Sequence, residues 1–216
     1  MQSLLHEVVI LPALLHQSDC VLGNLVQADL SDVSKIFGSI TDVLIRLDEL
    51  ETALQKSDQP CYWRCDHVSQ EVQSRASDDT HLPLFWYPNV TMANAFTHLW
   101  AFRIICFSEL MRFITHFPCH GQEQPIWTGQ LGMEYDDIQA QMIPFAKNIS
   151  LSMVYLLQEE MRLFGPASTI FPLQMAYKVY KSLGSGHQVD IAYIEGIVDE
   201  LHKKGLKSAR ALVFDD

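Results

Sequence analysis

Between residues 31 and 54, apolar side chains recur at intervals of three and four residues, and this pattern constrains the fold more than any other feature. The apolar positions are Val33, Ile36, Phe37, Ile40, Val43, Leu44, Leu47, Leu50 and Leu54. Their spacing places them on one face of an α-helix, which we expect to begin at the N-cap pair Ser31-Asp32. Such a face must be covered by other elements, so the stripe predicts a helix packed into a core.

Further helices are predicted from the same periodicity and from the positions of Gly and Pro. They are expected over about residues 91–116, 136–164, 172–183 and 191–204, the last ending at Gly205. The second is expected to break or restart at Pro144 and to end at Gly165-Pro166. Residues 56–90 lack the periodicity and form a long irregular connection, with room for one short helix or a strand pair. The predicted fold class is all-α: a single domain, residues 1–216, built as an irregular multi-helix bundle.

The charge balance excludes proteins that bind DNA through their own surface. The chain has 15 Lys and Arg against 26 Asp and Glu, a net charge of −11. Binding to a phosphate backbone needs clustered cations that displace counterions, whereas this surface repels polyanions. The densest basic group, Lys203, Lys204, Lys207 and Arg210, is expected to complement the negative end of the last helix. We predict no direct nucleic-acid partner.

The N-terminus and the cysteines predict a protein of the nucleus or cytoplasm. Residues 1–7 lack the positively charged region of a signal peptide. No apolar run reaches the roughly 18 residues of a membrane span, because charged side chains interrupt the 91–116 helix, so no membrane partner is predicted. Five cysteines at irregular spacing indicate reduced thiols.

Arg103 lies in the middle of the apolar side of the predicted 91–116 helix. A guanidinium keeps its proton, so its burial requires a carboxylate or an anionic ligand. One interpretation is a buried ion pair with Glu159 or Glu160, and the other is that Arg103 and His98 anchor a ligand in a pocket. If the chain is an enzyme, His98, Arg103, Glu159 and Glu160 are its candidate catalytic residues, because imidazole and carboxylate groups exchange protons near neutral pH.

Aromatic residues supply the rest of the candidate ligand site. Trp86 and Tyr87 lie in the irregular connection, Trp100 on the following helix and Tyr155 on the next. Rings at these positions either line an apolar cavity around a ligand or fill the core beneath the connection. We favour the filled core and keep the cavity as the alternative.

Two loops contain soft metal ligands. These ligands are Cys61, Cys65 and His67 in one loop and His116, Cys119 and His120 in the other. Together they offer four tetrahedral ligands for zinc, but their spacing matches no common structural zinc module, so we predict ordinary thiols and imidazoles and no metal. The usual nucleotide-binding and hydrolase motifs do not occur in the sequence, and no cofactor is predicted.

Two segments carry the pattern of a known family. In residues 84–103, Pro88 leads a turn into a helix with the motif His98-Leu99-Trp100-Ala101. In residues 146–176, a helix closes at Gly165-Pro166 before a Pro-Leu-x-x-Ala helix that begins at Pro172. Both segments are similar to the regulatory, or middle homology, domain of fungal zinc-cluster transcription factors, and residues 194–212 fit the same pattern.

The resemblance implies an all-helical regulatory domain, which in that family follows a DNA-binding cluster of six closely spaced cysteines. This chain has five scattered cysteines and no basic linker, so DNA binding is not carried over. One expected function is a regulatory module that binds a small hydrophobic metabolite or another regulator protein, alone or as a homodimer. The alternative is a stand-alone, cofactor-free cyclase or isomerase of fungal secondary metabolism, built on the same scaffold.

Overall fold

The computed structural model describes residues 1–24, 29–56, 60–65, 84–117 and 135–214, and α-helices dominate these ranges, so the predicted all-α class is confirmed. The helices are α1 (Gln2–Val8), α2 (Leu11–Gly23), α3 (Leu30–Gln55), α4 (Val90–His116), α5 (Tyr135–Leu156), α6 (Phe164–Ser168), α7 (Ile170–Leu183), α8 (Gln188–Lys203) and α9 (Ala209–Phe214). Two short strands, β1 (Trp63–Cys65) and β2 (Leu84–Trp86), and two 3-10 turns, Glu159–Met161 and Gly184–His187, complete the described elements.

Helix α3 contains the apolar stripe predicted from the sequence. The stripe positions from Val33 to Leu47 are buried, and the helix packs against α1, α2 and α4. The predicted N-cap is wrong, because the cap is Asp29, whose carboxylate accepts a hydrogen bond from the Ser31 backbone N–H at 2.9 Å. The apolar stripe therefore predicts the position of the helix well. The exact start of the helix depends on the Asp29 cap, which the apolar periodicity does not indicate.

Helix α4 is the centre of the molecule. It begins after Asn89, whose side-chain oxygen accepts a hydrogen bond from the Met92 backbone N–H at 2.9 Å, close to the predicted start. It packs against α3, α5 and α7 and also contacts α1 and α2. Within the described residues, α4 alone has the length and hydropathy of a membrane span, but 67% of its apolar window is buried inside the protein, which is typical of a core helix.

The sequence predicted either a short helix or a strand pair in the long connection, and the structure has a strand pair. The antiparallel register pairs Trp63 with Trp86, Arg64 with Phe85 and Cys65 with Leu84. Phe85 is buried, and β2 packs against α5. The strand pair thus holds Trp86 and the following Tyr87 against the helical core.

Helix α5 differs from the prediction in its continuity and in its end. It runs without interruption from Tyr135 to Leu156, so the break predicted at Pro144 and the end predicted at Phe164 are both wrong. Proline removes the hydrogen bond to the carbonyl four residues earlier. Here Pro144 and Ala140 are both exposed, so water can hydrate the freed carbonyl and the helix continues.

Gly165-Pro166 lies inside α6 and does not end a helix as predicted. A Cβ at Gly165 would lie 2.3 Å from the Leu156 carbonyl oxygen and 2.5 Å from the Met161 Cβ, so only glycine permits the close approach of α6 to the end of α5. Helix α7 begins at Ile170, slightly before the predicted Pro172, and α9 was not predicted.

Candidate functional site

Arg103 is buried where α3 and α4 pack together. Its side chain is 8% exposed, with Nη1 2.7 Å from Glu51 Oε2 and Nη2 3.0 Å from Asp48 Oδ1. The partners expected from the sequence are wrong, because Glu159 and Glu160 are exposed on the first 3-10 turn and neither forms an ion pair with another described residue. The two carboxylates come instead from α3, where Glu51 lies one turn and Asp48 two turns before the end of the helix.

The ion pair of Arg103 belongs to a wider set of contacts. Glu51 is 13% exposed and also accepts a hydrogen bond from Trp100 Nε1 at 3.1 Å. The guanidinium lies over the Phe145 ring, with its Cζ 5.1 Å from the ring centroid. Among the described side chains, Arg103 Nε is the buried polar atom that has no hydrogen-bond partner. The charge is nevertheless neutralised within the protein, and no anionic ligand is required to explain its burial.

The four rings predicted to surround a ligand do come close together. The aromatic cluster consists of Tyr62, Phe85, Trp86, Tyr87, Phe96, Trp100 and Tyr155. Ring centroids are 5.7 Å apart for Trp86 and Tyr155, 5.3 Å for Tyr87 and Tyr155, and 5.9 Å for Tyr62 and Trp100. These spacings are those of direct edge-to-face packing, so in this cluster the rings fill the space between them.

The polar end of Tyr87, in the aromatic cluster, is also satisfied inside the protein. The Tyr87 hydroxyl lies 2.6 Å from the Ser152 hydroxyl, and Ser152 donates to the Asn148 carbonyl at 2.7 Å. Burial raises the pKa of Tyr87 well above its usual value, so the phenol is neutral at physiological pH. The cluster therefore has the packing of a core, which is the arrangement we favoured from the sequence.

His98 lies apart from Arg103 although both are on α4. Its Nδ1 donates to the Asn94 carbonyl at 2.9 Å, and its ring lies 5.7 Å from Phe171 of α7. Burial lowers the pKa of His98, and the hydrogen bond to Asn94 opposes this effect. Because His98 contacts α7 while Arg103 contacts α3, the structure does not assemble the catalytic group that was predicted for the enzymatic alternative.

A buried polar network between α2 and α4 escaped the sequence prediction. Glu109 is 5% exposed and accepts hydrogen bonds from the Ser18 hydroxyl and, at 2.8 Å, from Arg112 Nη1. Arg112 Nη2 also lies 2.9 Å from Asp19 Oδ1. Polar residues on α4 were visible in the sequence, but nothing in it joined them to partners about ninety positions earlier. The network anchors α2 to the central helix.

The proposed zinc ligands are only partly within the described residues. Cys61 is buried, and its thiol donates to the Leu54 carbonyl at 2.8 Å, while burial raises its pKa. His116 Nδ1 donates to the Arg112 carbonyl at 2.8 Å. His67, Cys119 and His120 lie outside the described residues. Where side chains are described, no three His, Cys, Asp or Glu groups come together as metal ligands.

The exposed face of α1 is a feature that the sequence prediction did not single out. We define the α1 stripe as Met1, Leu5 and Val9, which recur every four residues and are 39%, 56% and 68% exposed. Val9 keeps helical backbone angles, φ −57° and ψ −29°, so the stripe extends past the end of α1. Leu4 and Val8, one position earlier in each turn, are buried and hold the helix on the core.

A surface groove of about 320 Å³ begins at the same helix. Its lining residues are Met1, Ser3, Leu4, Leu50, Leu54, Asn89, Thr91, Met92, Ala95 and Leu99. The lining carries no charged side chain, and it joins α1 to the end of α3 and the start of α4. Together, the groove and the α1 stripe make a mainly apolar surface, on which Ser3, Asn89 and Thr91 are the polar lining residues and no charged side chain contributes.

In comparisons with known proteins, no protein family, curated protein or solved structure matches the chain.

Proposed function

We propose that the chain is a protein-binding regulatory module of the fungal transcription-factor type, acting in the nucleus or cytoplasm without binding DNA by itself. The resemblance of residues 84–103 and 146–176 suggests the type of module. The α1 stripe is the observation that supports a protein partner. Exposed apolar side chains in one contiguous row are typical of surfaces that become covered on association.

A protein partner is favoured over a small metabolite because of how the interior is filled. A ligand site normally encloses most of its ligand in a preformed cavity. The residues predicted for such a site pack ring against ring, and Arg103 has its own carboxylates. The enzymatic alternative lacks support for a similar reason, since His98 and Arg103 contact different helices.

The α1 stripe and the groove beside it suggest how the partner binds. Full burial of a Leu or Val side chain stabilises an interface by about 1.5–3 kcal/mol, and Leu5 and Val9 still have more than half of their surface to bury. The groove accepts an apolar side chain of the partner between Leu4 and Leu99. An amphipathic helix laid along α1 satisfies both requirements.

The test compares a stripe variant with a matched control. In Leu5→Glu/Val9→Glu, two exposed apolar residues of the stripe receive charges, whereas Val189→Glu/Leu163→Glu makes the same change at residues 74% and 56% exposed elsewhere. Each chain is crosslinked in the cells that produce it and its partners are quantified by mass spectrometry. Circular dichroism and thermal unfolding establish that the variants fold alike.

We expect a partner that wild type and the control recover equally and that the stripe variant loses at least about tenfold, a cost of about 1.4 kcal/mol. Equal recovery by all three chains would contradict the proposed surface. If the specifically recovered species is the chain itself, sedimentation of the purified protein should show a dimer that the stripe variant does not form. Recovery of no specific partner would contradict the proposed function.

A further inference from the structure

The exposed side of α2 carries a thiol and an imidazole that contact each other. Cys20 Sγ lies 3.9 Å from His16 Nε2, and both side chains are exposed. The two residues are four positions apart, so they lie one above the other on the same side of the helix. The residues of α2 that pack on the core occupy other positions. This pair shares no residue with the α1 stripe or its groove.

A sulfur and a ring nitrogen at this separation match the ligand set of one class of metal ion. Zn²⁺ and similar borderline-soft ions bind thiolate and imidazole, whereas Mg²⁺ and Ca²⁺ prefer oxygen ligands. With the usual bonds of about 2.3 Å to sulfur and about 2.0 Å to nitrogen and a tetrahedral angle, the two donor atoms are about 3.5 Å apart. A side-chain shift of about 0.4 Å would therefore bring Cys20 Sγ and His16 Nε2 onto one ion.

The turn of α2 that carries the two donors is fixed to α4. Ser18, which lies between them in the sequence, is fully buried and donates a hydrogen bond to Glu109. The adjacent Asp19 has its Oδ1 2.9 Å from Arg112 Nη2. These contacts leave His16 and Cys20 free to face the solvent while their backbone positions are held. A pair of donors that is already in place loses less conformational entropy when it binds an ion.

The coordination that the pair offers is incomplete, and this determines the kind of binding to expect. In the part of the chain that the structure describes, no third His, Cys, Asp or Glu joins the pair. Structural zinc sites have four protein ligands and catalytic sites usually have three. Two donors on an exposed helix therefore bind an ion that exchanges with the solvent and on which the fold does not depend. The net charge of −11 favours the approach of a cation.

We propose that His16 and Cys20 bind one borderline-soft divalent ion of the Zn²⁺ type through Nε2 and Sγ, with water in the remaining positions. The ion binds the sulfur as thiolate and the imidazole in its neutral form, so the thiol proton is released to solvent and no electron is transferred. This site is distinct from the loop ligands considered in the sequence, which include Cys65 and His116. It is also independent of the proposed protein-binding function.

The experiment titrates the purified full chain, reduced with a phosphine, with two ions. Zn²⁺ is added in competition with a chromophoric chelator, and Cd²⁺ is followed by the ultraviolet charge-transfer band of its bond to a thiolate. His16→Gln and Cys20→Ser each remove one donor, whereas Cys20→His keeps two donors but no sulfur. The controls are Cys65→Ser, at a half-buried thiol elsewhere, and His202→Gln, at an exposed imidazole of α8. Circular dichroism establishes that all variants fold alike.

We expect wild type, Cys65→Ser and His202→Gln to bind Zn²⁺ with similar affinity, and His16→Gln and Cys20→Ser to bind it at least about tenfold more weakly. Cys20→His should still bind Zn²⁺ but lose the Cd²⁺ charge-transfer band. Binding should tighten as the pH rises, because each ion displaces a proton.

Three results would overturn the inference. The first is the absence of Zn²⁺ binding by wild type at up to about 100 μM of the ion. The second is equal affinity in wild type, His16→Gln and Cys20→Ser, and the third is a loss of binding in Cys65→Ser in their place, which would assign the ion to the loop cysteines. Displacement of Zn²⁺ by an equal concentration of Mg²⁺ would contradict the sulfur and nitrogen ligands.

Discussion

At the scale of single residues, Arg103 and Arg46 are two arginines with very different surroundings. Arg103 is 8% exposed and lies 2.7 Å from Glu51, which is 13% exposed. Arg46 is 38% exposed and lies 3.1 Å from Glu7, which is 25% exposed. Removing one member of a buried pair leaves the other charge desolvated and unpaired, whereas water replaces a lost partner at the surface.

We therefore expect Arg103→Met to lower the free energy of unfolding by about 3 kcal/mol and Arg46→Met by about 1 kcal/mol or less. Urea unfolding followed by circular dichroism measures both. The double variant Arg103→Met/Glu51→Gln should be more stable than Arg103→Met, because it removes the negative charge that the single change leaves unpaired while the amide oxygen still accepts from Trp100 Nε1. Equal losses for Arg103→Met and Arg46→Met would contradict the buried pair.

His98 predicts a pH dependence of stability. Its pKa in the folded protein is lowered by burial from the ordinary value of 6.5, so below that pH the unfolded chain binds a proton that the folded protein does not. Stability is then highest above pH 6.5 and falls as the pH decreases, until the folded protein is protonated as well. We expect His98→Gln to lose less stability than wild type between about pH 7.5 and about pH 5.5.

Urea unfolding at the two pH values tests this expectation. His202→Gln, at an exposed imidazole of α8, serves as the control for removing a histidine from the chain. If wild type and His98→Gln lose the same stability on acidification, His98 does not contribute to it through its burial.

At the scale of elements, Gly165 holds the turn between α5 and α6 in contact with α5. Gly196 is a useful comparison, because it is exposed inside α8 and a Cβ there meets nothing within 4 Å. Gly165→Ala forces the backbone apart and should cost several kcal/mol, roughly the upper range for overpacking. Gly196→Ala should stabilise the protein by up to about 1 kcal/mol, since alanine favours a helix interior. Thermal unfolding measures both, and equal melting temperatures would contradict the close approach.

Sequence patterns predicted the elements better than they predicted how the elements meet. The stripe in α3 and the apolar faces of α4 and α8 indicate which side of each helix is buried. This burial is predictable because it depends on the hydrophobicity of each residue alone. The requirement that Arg103 find a carboxylate was also predictable, because it follows from its charge. Its partner was not, since Asp48, Glu51, Glu159 and Glu160 all offer the same group, and only the packing of α3 on α4 selects between them.

The same limit applies to the candidate site. Trp86, Tyr87, Trp100 and Tyr155 do lie in one cluster, because aromatic residues share a preference for the core. Whether such rings enclose a space or fill it depends on distances of an ångström or two. Those distances are set by the strand pair and by α5, and no local pattern encodes them.

At the scale of the whole molecule, the net charge of −11 predicts weak interaction with nucleic acids. We expect the purified chain to leave the mobility of duplex DNA unchanged in a gel-shift assay at about 150 mM salt and up to about 100 μM protein. A complex that weakens steeply with added salt would contradict the prediction.

The strand pair has a consequence for the architecture of the chain. Cys65 and Leu84 are partners in the ladder, so the chain before residue 66 and the chain after residue 83 are held at adjacent points of the strand pair. The distance that any intervening peptide must bridge is therefore independent of its length, and doubling the length adds only about 0.6 kcal/mol of closure entropy. Lengthening the peptide between Cys65 and Leu84 therefore costs little closure entropy, whereas any change that moves the two strand ends apart requires the strand pair to open.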